Sequence, residues 1–203
     1  MHTAPASDIA FTPAVKAIQQ RKGSRAAYAR MEAGAGWQTR DTPELEEFMH
    51  DQTSIFFATA NADGQPYIQH RGGPKGFLRV IDEHTVGFAD FTGNKQYISA
   101  GNLSENPRAY LFLIDYAARR RIKLWGTARV VTEDAALLAR LMPDGYKARP
   151  EQAVVFTIEA WDVNCPQHIP QRIDAEDVQR ALDAKDQRIA ALESQLAQIR
   201  DKI

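Results

Sequence analysis

The sequence has few of the features on which several common protein classes depend. Its 203 residues include a single cysteine, Cys165, which excludes an internal disulfide framework and is typical of a reducing compartment. No apolar run approaches the length needed to span a bilayer, and the N-terminus lacks a basic-then-apolar secretory signal, so we predict a cytoplasmic protein. The formal net charge of -1 provides no global field for nucleic acid or an anionic membrane. No G-x-G-x-x-G motif follows a predicted strand, so a nicotinamide would bind only transiently.

Apolar and aromatic residues are nevertheless present in sufficient number to form a core. Hydrophobic residues make up 44% of the chain, with nine Phe, six Tyr and three Trp, and the length suits one domain with appendages. β-Branched and aromatic runs, separated by turn residues such as Asn61-Ala62-Asp63-Gly64, predict an antiparallel meander. The predicted strands cover residues 54–60, 66–70, 77–81, 85–89, 109–114, 122–131 and 153–161.

Helices are predicted before and between these strands. Thr12-Pro13 and Thr42-Pro43 each combine an N-cap residue with proline at the first helical position, which predicts helices over 14–20 and 44–51. Further helices are predicted over 26–32, 95–103 and 135–141. A solvated helical face and an anion site are both open for the basic residues of the N-terminal segment, which are Arg21, Lys22, Arg25 and Arg30.

The segment 88–113 carries a candidate phosphate site. Asp90-Phe91-Thr92-Gly93-Asn94 predicts a sharp turn in which Gly93 can take positive φ. Asn94, Lys95 and Gln96 then bring amides and a cation to the start of the helix predicted over 95–103, where an anion is favoured. An ordinary surface turn is the alternative interpretation.

Two further segments carry groups that suit an anionic ligand. One of these segments is His70-Arg71-Gly72-Gly73, in which the guanidinium of Arg71 offers a planar fork of donors and the two glycines allow close approach of a ligand to the backbone. The alternative interpretation of this segment is a β-bulge with an exposed arginine. On the strand predicted over 122–131, alternation places Arg121, Lys123 and Trp125 on one face. That face either lines an anionic ligand or faces solvent.

The segment 162–172 is dense in side chains that can contact a ligand. Cys165 and His168 stand three positions apart, but no second ligand pair at zinc spacing exists, so no metal site is predicted. Cys165 has no visible positioning partner other than His168, which argues against a nucleophilic cysteine.

The C-terminal segment has a heptad pattern. Seven of its eight seam positions are apolar, at alternating spacings of three and four, and Lys185 is the exception. We predict a helix that forms a coiled coil with a second chain, and the alternative is an amphipathic helix packed on its own domain. The apolar seam residues are Val178, Leu182, Ile189, Leu192, Leu196, Ile199 and Ile203.

Three motifs together resemble the pyridoxamine 5'-phosphate oxidase-like split barrels, and in particular their predicted flavin-nucleotide-binding branch. The motifs lie at 69–73, 90–96 and 164–172, within a resemblance that covers residues 54–172. The resemblance implies a mainly β fold, a six-stranded split β-barrel with flanking helices, that forms homodimers with two FMN molecules at the interface. The chain then divides into an N-terminal helical segment (1–41), an FMN-binding split barrel (42–173) and a C-terminal coiled-coil helix (174–203).

The resemblance also implies which residues bind FMN. Arg71, Asn94 and Lys95 would hold the flavin phosphate, other residues would lie near the ring, and a C-terminal Trp and Arg would reach the cofactor. The complete expected set is His70, Arg71, Gly72, Gly73, Asn94, Lys95, Gln96, Ser99, Arg121, Lys123, Trp161 and Arg172.

The activity implied is that of an FMN-dependent oxidoreductase acting on an unidentified small molecule. The Arg-x-His-x-Arg substrate motif of the oxidases is incomplete, because the segment Gln167-His168-Ile169-Pro170-Gln171-Arg172 lacks its first arginine, so vitamin B6 oxidation is not predicted. His168 is the candidate catalytic proton donor, with a structural or flavin-packing role as its alternative. A non-catalytic flavin-binding or sensing module, a coiled-coil interaction scaffold and a haem-handling protein using His70 and His168 are also open.

Overall fold

The computed structural model describes residues 4–164 and 166–200, which divide into two compact units. The first unit contains residues 4–114 and 121–164, and the second contains residues 115–120 and 166–200. Within these described residues, no helix combines the length and the apolar character that crossing a membrane requires.

The secondary structure is mainly β, with helices before, between and after the strands. The helices are α1 (Pro13–Lys22), α2 (Arg25–Ala33), α3 (Pro43–His50), α4 (Ile98–Glu105), α5 (Ala135–Leu141) and α6 (Ala175–Arg200), preceded by a 3-10 turn over Ala6–Ile9. The strands are β1 (Ser54–Ala60), β2 (Pro66–Gly72), β3 (Arg79–Asp82), β4 (Thr85–Phe91), β5 (Arg108–Asp115), β6 (Arg120–Val131) and β7 (Pro150–Asn164).

All seven strands belong to one sheet, in the order β2-β1-β5-β6-β7-β4-β3. β1 pairs antiparallel with both β2 and β5, and β7 pairs antiparallel with both β4 and β6. The predicted mainly β fold with flanking helices is therefore confirmed. The sheet has one strand more than the six expected, because the four-residue edge strand β3 also joins it through β4.

A large apolar cluster forms most of the core of the first unit, and a smaller cluster contains Ala89, Leu141 and Ala153. Along β1 every second residue is buried, so that Ile55 and Phe57 enter the core while Phe56 lies on the opposite face. The apolar stripe of α3, which is Leu45, Phe48 and Met49, packs into the same cluster. The cluster fixes the face of the sheet on which each strand residue lies, and hence the side from which a ligand can be reached.

Two helix starts have the capping bonds that their Thr-Pro signals predicted, and one predicted helix start is wrong. Thr12 and Thr42 accept hydrogen bonds of 3.3 and 3.2 Å from the third residue of their helices, as the Thr-Pro signals predicted. The predicted start of α4 at Lys95 is wrong, because α4 begins at Ile98. Lys95 and Tyr97 have left-handed backbone conformations, which an α-helix does not accommodate.

Candidate functional site

The turn between β4 and α4, residues 92–97, has an unusual backbone. Lys95 and Tyr97 have φ angles of 58° and 53°, which residues other than glycine rarely adopt and which concentrate at functional sites. The Asn94 side chain accepts a hydrogen bond of 3.2 Å from the Gln96 amide and closes a local turn. The side chain of Tyr97, the N-cap residue, makes no bond to the first amides of α4, so these donors can meet a ligand.

Arg71 lies on β2 beside this turn and is only partly satisfied. In the β1/β2 register it stands opposite Ile55, so the two side chains share the core-facing side of the sheet. Its Nη1 donates to Oδ1 of Asp90 at the end of β4, and Oδ2 of Asp90 accepts from Gln152 Nε2 at 2.9 Å. Within the described part of the chain, the buried Nε of Arg71 has no hydrogen-bond partner. A buried guanidinium donor without a partner is costly, and an anion would satisfy it.

These groups line a cavity of about 50 Å³, which we call the inner cavity. Its walls come from β2, β4, the 92–97 turn, α4, the end of β6 and the start of β7. The volume suits a group of a few heavy atoms, such as a phosphate, and is too small for a tricyclic flavin ring. The structure brings together here five of the residues predicted to bind the cofactor, namely Arg71, Asn94, Lys95, Gln96 and Ser99.

A second cavity of about 160 Å³ adjoins the inner cavity and shares three of its lining residues, Arg71, Asp90 and Phe91. Two more predicted residues, His70 and Gly72, line it. The Arg71–Asp90 ion pair therefore contributes to both cavities, and a ligand in either one meets the same guanidinium.

The inner cavity carries as many formal negative charges as positive ones. Arg71 and Lys95 are its cations, and Asp90 and Glu151 are its carboxylates. Glu151 accepts a hydrogen bond of 2.8 Å from the Tyr97 hydroxyl, which raises the pKa of that phenol. Both carboxylates thus have partners, while Lys95 is exposed and forms no ion pair with any described residue. An incoming anion would form an ion pair with Lys95 without displacing a carboxylate, and it would compete with Asp90 for hydrogen bonds from Arg71.

Two predicted ligand groups have a packing explanation. A Cβ atom added to Gly73 would lie 2.7 Å from the Cβ of Phe77, so glycine is required for close approach to the core. His70 Nε2 shares a hydrogen bond of 2.7 Å with the Ser54 hydroxyl, and its ring lies edge-on to Phe56 at 6.0 Å. Their contact with a flavin stays a prediction.

Arg121 and Lys123 lie elsewhere, and neither lines the two cavities just described. Lys123 Nζ lies 3.9 Å from a carboxylate oxygen of Asp162 and 5.1 Å from the ring centre of Trp125. Trp125 stacks on Trp37 with ring centres 4.6 Å apart and planes 18° apart. We call the surrounding group the outer aromatic cluster, which consists of Phe11, Tyr28, Trp37, Tyr110 and Trp125.

Burial around this cluster shifts the pKa values of nearby ionisable groups in the direction that favours their uncharged forms. Desolvation lowers the pKa of Lys123, and the nearby Asp162 carboxylate opposes that shift. Desolvation also raises the pKa of Asp162, against the attraction of Lys123, and strongly raises that of Tyr110. Lys123 is therefore a half-buried cation whose desolvation is offset only in part by Asp162.

The remaining predicted residues have structural contacts of their own. Trp161 is buried in the core cluster, and its Nε1 donates to the Arg40 carbonyl oxygen at 2.8 Å. In the second unit, the guanidinium of Arg172 lies 4.6 Å from the Tyr116 ring centre. His168 is exposed, with a left-handed φ of 63°. Their roles toward a flavin or a substrate stay predictions, and Cys165 lies outside the described residues.

Sequence reasoning missed several residues of the inner cavity. Tyr67, Gln69 and Arg71 are spaced two residues apart on β2, so their side chains lie on the same face of the strand. This spacing is visible in the sequence and could have identified Tyr67 and Gln69. Ser99 donates to Gln69 Oε1 at 3.3 Å, which ties α4 to β2. Glu151 and Gln152 come from a strand distant in sequence and carry no local signal.

Comparison with known proteins agrees with this architecture. A family model described as pyridoxamine 5'-phosphate oxidase matches residues 41–165. None of the curated proteins matches the sequence. Among solved structures, HupZ of Group A Streptococcus is similar at 20% identity with a TM-score of 0.51, over 66% of this chain and 99% of that one. Identity at this level establishes the fold alone.

Two other solved structures are similar over most of their own length. A pyridoxamine 5'-phosphate oxidase described as putative, from Lactobacillus delbrueckii, is 22% identical over 62% of this chain and 95% of that one, with a TM-score of 0.47. An FMN-binding protein from Syntrophomonas wolfei is 14% identical over 72% of this chain and 97% of that one, with a TM-score of 0.48.

Proposed function

The chain belongs to the pyridoxamine 5'-phosphate oxidase-like family of FMN-binding split-barrel proteins, and on that premise we propose that it binds FMN with the phosphate in the inner cavity. The observation that carries the proposal is the buried, unpartnered Nε of Arg71 in a phosphate-sized cavity beside Lys95. Charge-assisted hydrogen bonds from guanidinium and ammonium groups to phosphate are among the strongest in proteins. The left-handed turn adds backbone donors at the start of α4.

The proposed activity is that of a flavin-dependent oxidoreductase acting on an unidentified small molecule. Bound FMN would supply hydride transfer, and the chain would supply binding, orientation and exclusion of water. His168 is the proposed proton donor. Because the sequence lacks the first arginine of the oxidases' substrate motif, the proposed substrate is not a vitamin B6 phosphate ester.

A second copy of the chain is proposed to complete the FMN site. The inner cavity holds no more than the phosphate, so the ring needs further protein surface. On the side of the sheet opposite the core, His70, Phe56 and Phe112 stand in one cross-strand row over β2, β1 and β5. Ile68 lies two residues from His70 on β2 and is 64% exposed. This half-exposed apolar face supports association of the sheet with a second copy.

The first experiment compares FMN with riboflavin, which has the same ring but no phosphate. Fluorescence titration of the full chain is expected to give tighter binding of FMN, and Lys95→Ala is expected to reduce FMN affinity about tenfold and leave riboflavin unaffected. Lys22→Ala removes an equal charge from the exposed end of α1 and serves as the control. Equal affinities for the two flavins would refute the phosphate site, and a Soret band in the purified protein would favour haem instead.

The second experiment separates turnover from simple binding. Anaerobic addition of NADH or NADPH to the FMN-loaded protein is expected to bleach the flavin absorbance, which returns when an acceptor is admitted. A flavin that binds tightly but is reduced no faster than free FMN would instead identify a non-catalytic binding or sensing module.

A further inference from the structure

Within the second compact unit, the helix α6 carries an exposed apolar stripe. It runs for 26 residues, from Ala175 to Arg200, and none of them is buried. Between 41% and 59% of each apolar seam residue is exposed, and these residues are Val178, Leu182, Ile189, Leu192, Leu196 and Ile199. The eighth seam residue of the sequence pattern, Ile203, lies outside the described residues. A continuous exposed apolar stripe on a long helix marks an interaction surface.

We propose that this stripe binds the same stripe on a second copy of the chain, as a parallel, in-register, two-stranded coiled coil. The alternating spacing of three and four gives a repeat of 3.5 residues, which keeps the stripe facing a partner helix along its whole length. In heptad terms, Leu182, Ile189 and Leu196 occupy a positions, and Val178, Lys185, Leu192 and Ile199 occupy d positions.

The charges that flank the stripe favour the parallel arrangement. Arg188 occupies a g position and Glu193 the following e position, which face each other across a parallel pair. In one helix the two residues are five apart and do not meet, and in the described chain neither forms an ion pair. A parallel homodimer would form the Arg188–Glu193 pair twice, and no flanking pair of like charge arises.

An antiparallel pair is disfavoured by the same charges. In that arrangement the e positions of one helix face the e positions of the other. In the antiparallel register with the greatest overlap of the two stripes, Asp186 of each helix faces Glu193 of the other helix. The two carboxylates of each such pair repel each other. The charge pattern of α6 therefore matches a parallel copy of itself.

Lys185 is the one cation within the stripe. In an in-register parallel pair it faces its counterpart, and both ammonium groups must reach solvent along their flexible stems. A single polar seam residue weakens a coiled coil while fixing its register and number of strands. Lys185 is thus a specificity-determining position for the dimer.

Disulfide cross-linking of the full chain tests orientation directly. In a Cys165→Ser background, Leu182→Cys and Ile199→Cys are made separately at opposite ends of the stripe. In a parallel pair each variant is expected to form a disulfide with itself on mild oxidation, because facing seam positions lie within disulfide distance. Ala184→Cys, on the outer side of the helix, is the control and is expected to stay reduced.

The cross-linking pattern overturns the proposal in two ways. Disulfides that form only when the two variants are mixed would establish an antiparallel pair. Absence of seam disulfides in either variant, with circular dichroism showing that the chain is folded, would show that a second α6 does not cover the stripe.

Charge reversal supplies an independent measurement. In a parallel pair, Glu193→Arg is expected to lower the association constant of α6 about tenfold, because the new guanidinium faces Arg188 of the other helix. In an antiparallel pair the same substitution would strengthen association, because the new guanidinium faces Asp186. Mixing Glu193→Arg with Arg188→Glu is expected to restore cross-linking between the two chains. Lys185→Leu is expected to tighten the dimer, because it completes the apolar seam. Ala184→Leu, on the outer side of the helix, is the control, and an equal gain in affinity from it would contradict the proposed seam.

These readouts do not depend on the flavin. Seam disulfides and the effects of charge at positions 188 and 193 report on α6 whether or not FMN binds, and the comparison of FMN with riboflavin reports on the inner cavity whether or not α6 pairs. Either proposal can therefore fail alone.

Discussion

The inner cavity and the outer aromatic cluster each have a cation on a strand of one sheet, Arg71 on β2 and Lys123 on β6, but these cations are in different states. In the inner cavity, Arg71 keeps a buried Nε without a partner, and Lys95 is exposed and unpaired among the described residues. In the outer aromatic cluster, Lys123 lies beside the stacked rings of Trp37 and Trp125, with Nζ 6.0 and 5.1 Å from their centres, and near Asp162. The comparison teaches that a free donor on a strand indicates a ligand site where it also lines a cavity, because the buried Nε of Arg121 has no partner among the described residues but lines neither cavity.

The two regions also differ in what their atoms contribute to folding. The stacked rings of Trp37 and Trp125 join the N-terminal segment to β6, so they stabilise the tertiary structure. The 92–97 turn, with its left-handed residues, adds strain and exposed donors. We therefore expect substitutions in the inner cavity to alter binding, and those in the outer cluster to alter the free energy of unfolding.

The largest effect is expected from Arg71→Ala. Loss of the guanidinium is expected to lower FMN affinity roughly 10- to 100-fold, since a charge-assisted hydrogen bond contributes about 1.5–3 kcal/mol, while riboflavin affinity changes little. Fluorescence titration with both flavins measures the ratio. Arg108→Ala, at an exposed residue outside the cavity, is the charge-matched control.

Arg71→Ala also leaves Asp90 buried without its cation, which is expected to lower the free energy of unfolding by about 1–3 kcal/mol. The double variant Arg71→Ala/Asp90→Asn removes that unpaired charge and is expected to regain stability without regaining FMN affinity. Recovery of FMN binding in the double variant would contradict a direct role for Arg71.

The next effect is expected from Trp125→Ala in the outer cluster. Removing a half-buried ring that stacks on Trp37 and contacts Tyr110 is expected to cost about 2 kcal/mol of unfolding free energy, measured by urea denaturation. The ratio of FMN to riboflavin affinity is expected to stay within about twofold of the original. Trp125→Phe keeps a ring in place and is expected to lose less than half as much stability. A changed affinity ratio would show that the two regions are not separate.

A smaller, pH-dependent effect is expected from Lys123→Met. Because folding lowers the pKa of Lys123, the unfolded chain binds more protons between the folded value and the ordinary value of 10.5. Stability contributed by this residue therefore rises with pH across that window, and the advantage of Lys123→Met at pH 7, about 1 kcal/mol or less, is expected to shrink by pH 10. Lys22→Met, at an exposed lysine, is the control, and an advantage that grows with pH would contradict the burial argument.

The smallest effect is expected from Glu151→Gln at the rim of the inner cavity. Removing an exposed carboxylate is expected to raise FMN affinity two- to threefold at low salt, and the gain is expected to fade as ionic strength rises. Isothermal titration at two salt concentrations measures it. Glu133→Gln, an exposed carboxylate outside the cavity, is the control. A loss of affinity would mean that the Tyr97 bond to Glu151 holds the turn in place.

Local chemistry explains why much of the fold was predictable. The Thr-Pro starts at Thr12 and Thr42, and the alternation along β1, are effects of a few neighbouring residues, so the sequence displays them. The start of α4 was not predictable in this way. The left-handed conformations of Lys95 and Tyr97 depend on contacts such as the Tyr97–Glu151 hydrogen bond, which joins residues 54 positions apart.

The same limit applies to the site. Arg71, Asn94 and Lys95 were found because their motifs resemble those of a known family, and the structure brings them to one cavity. Two other contacts depend on tertiary packing between segments far apart in sequence. These are the ion pair between Asp90 and Arg71 and the stacking of Trp37 on Trp125. Arg71 and Lys123 each lie near an aspartate, Asp90 and Asp162 respectively, and what distinguishes Arg71 is its free Nε in the inner cavity.

The left-handed turn has a consequence for the kinetics of binding. The turn is already ordered in the folded chain, because Lys95 and Tyr97 hold their left-handed conformations. Ligand binding therefore causes little further loss of conformational entropy in the turn. Encounter is then governed by diffusion and by the small local field, and the association rate is expected to vary little among cavity variants. Their differences in affinity are expected to appear as differences in residence time.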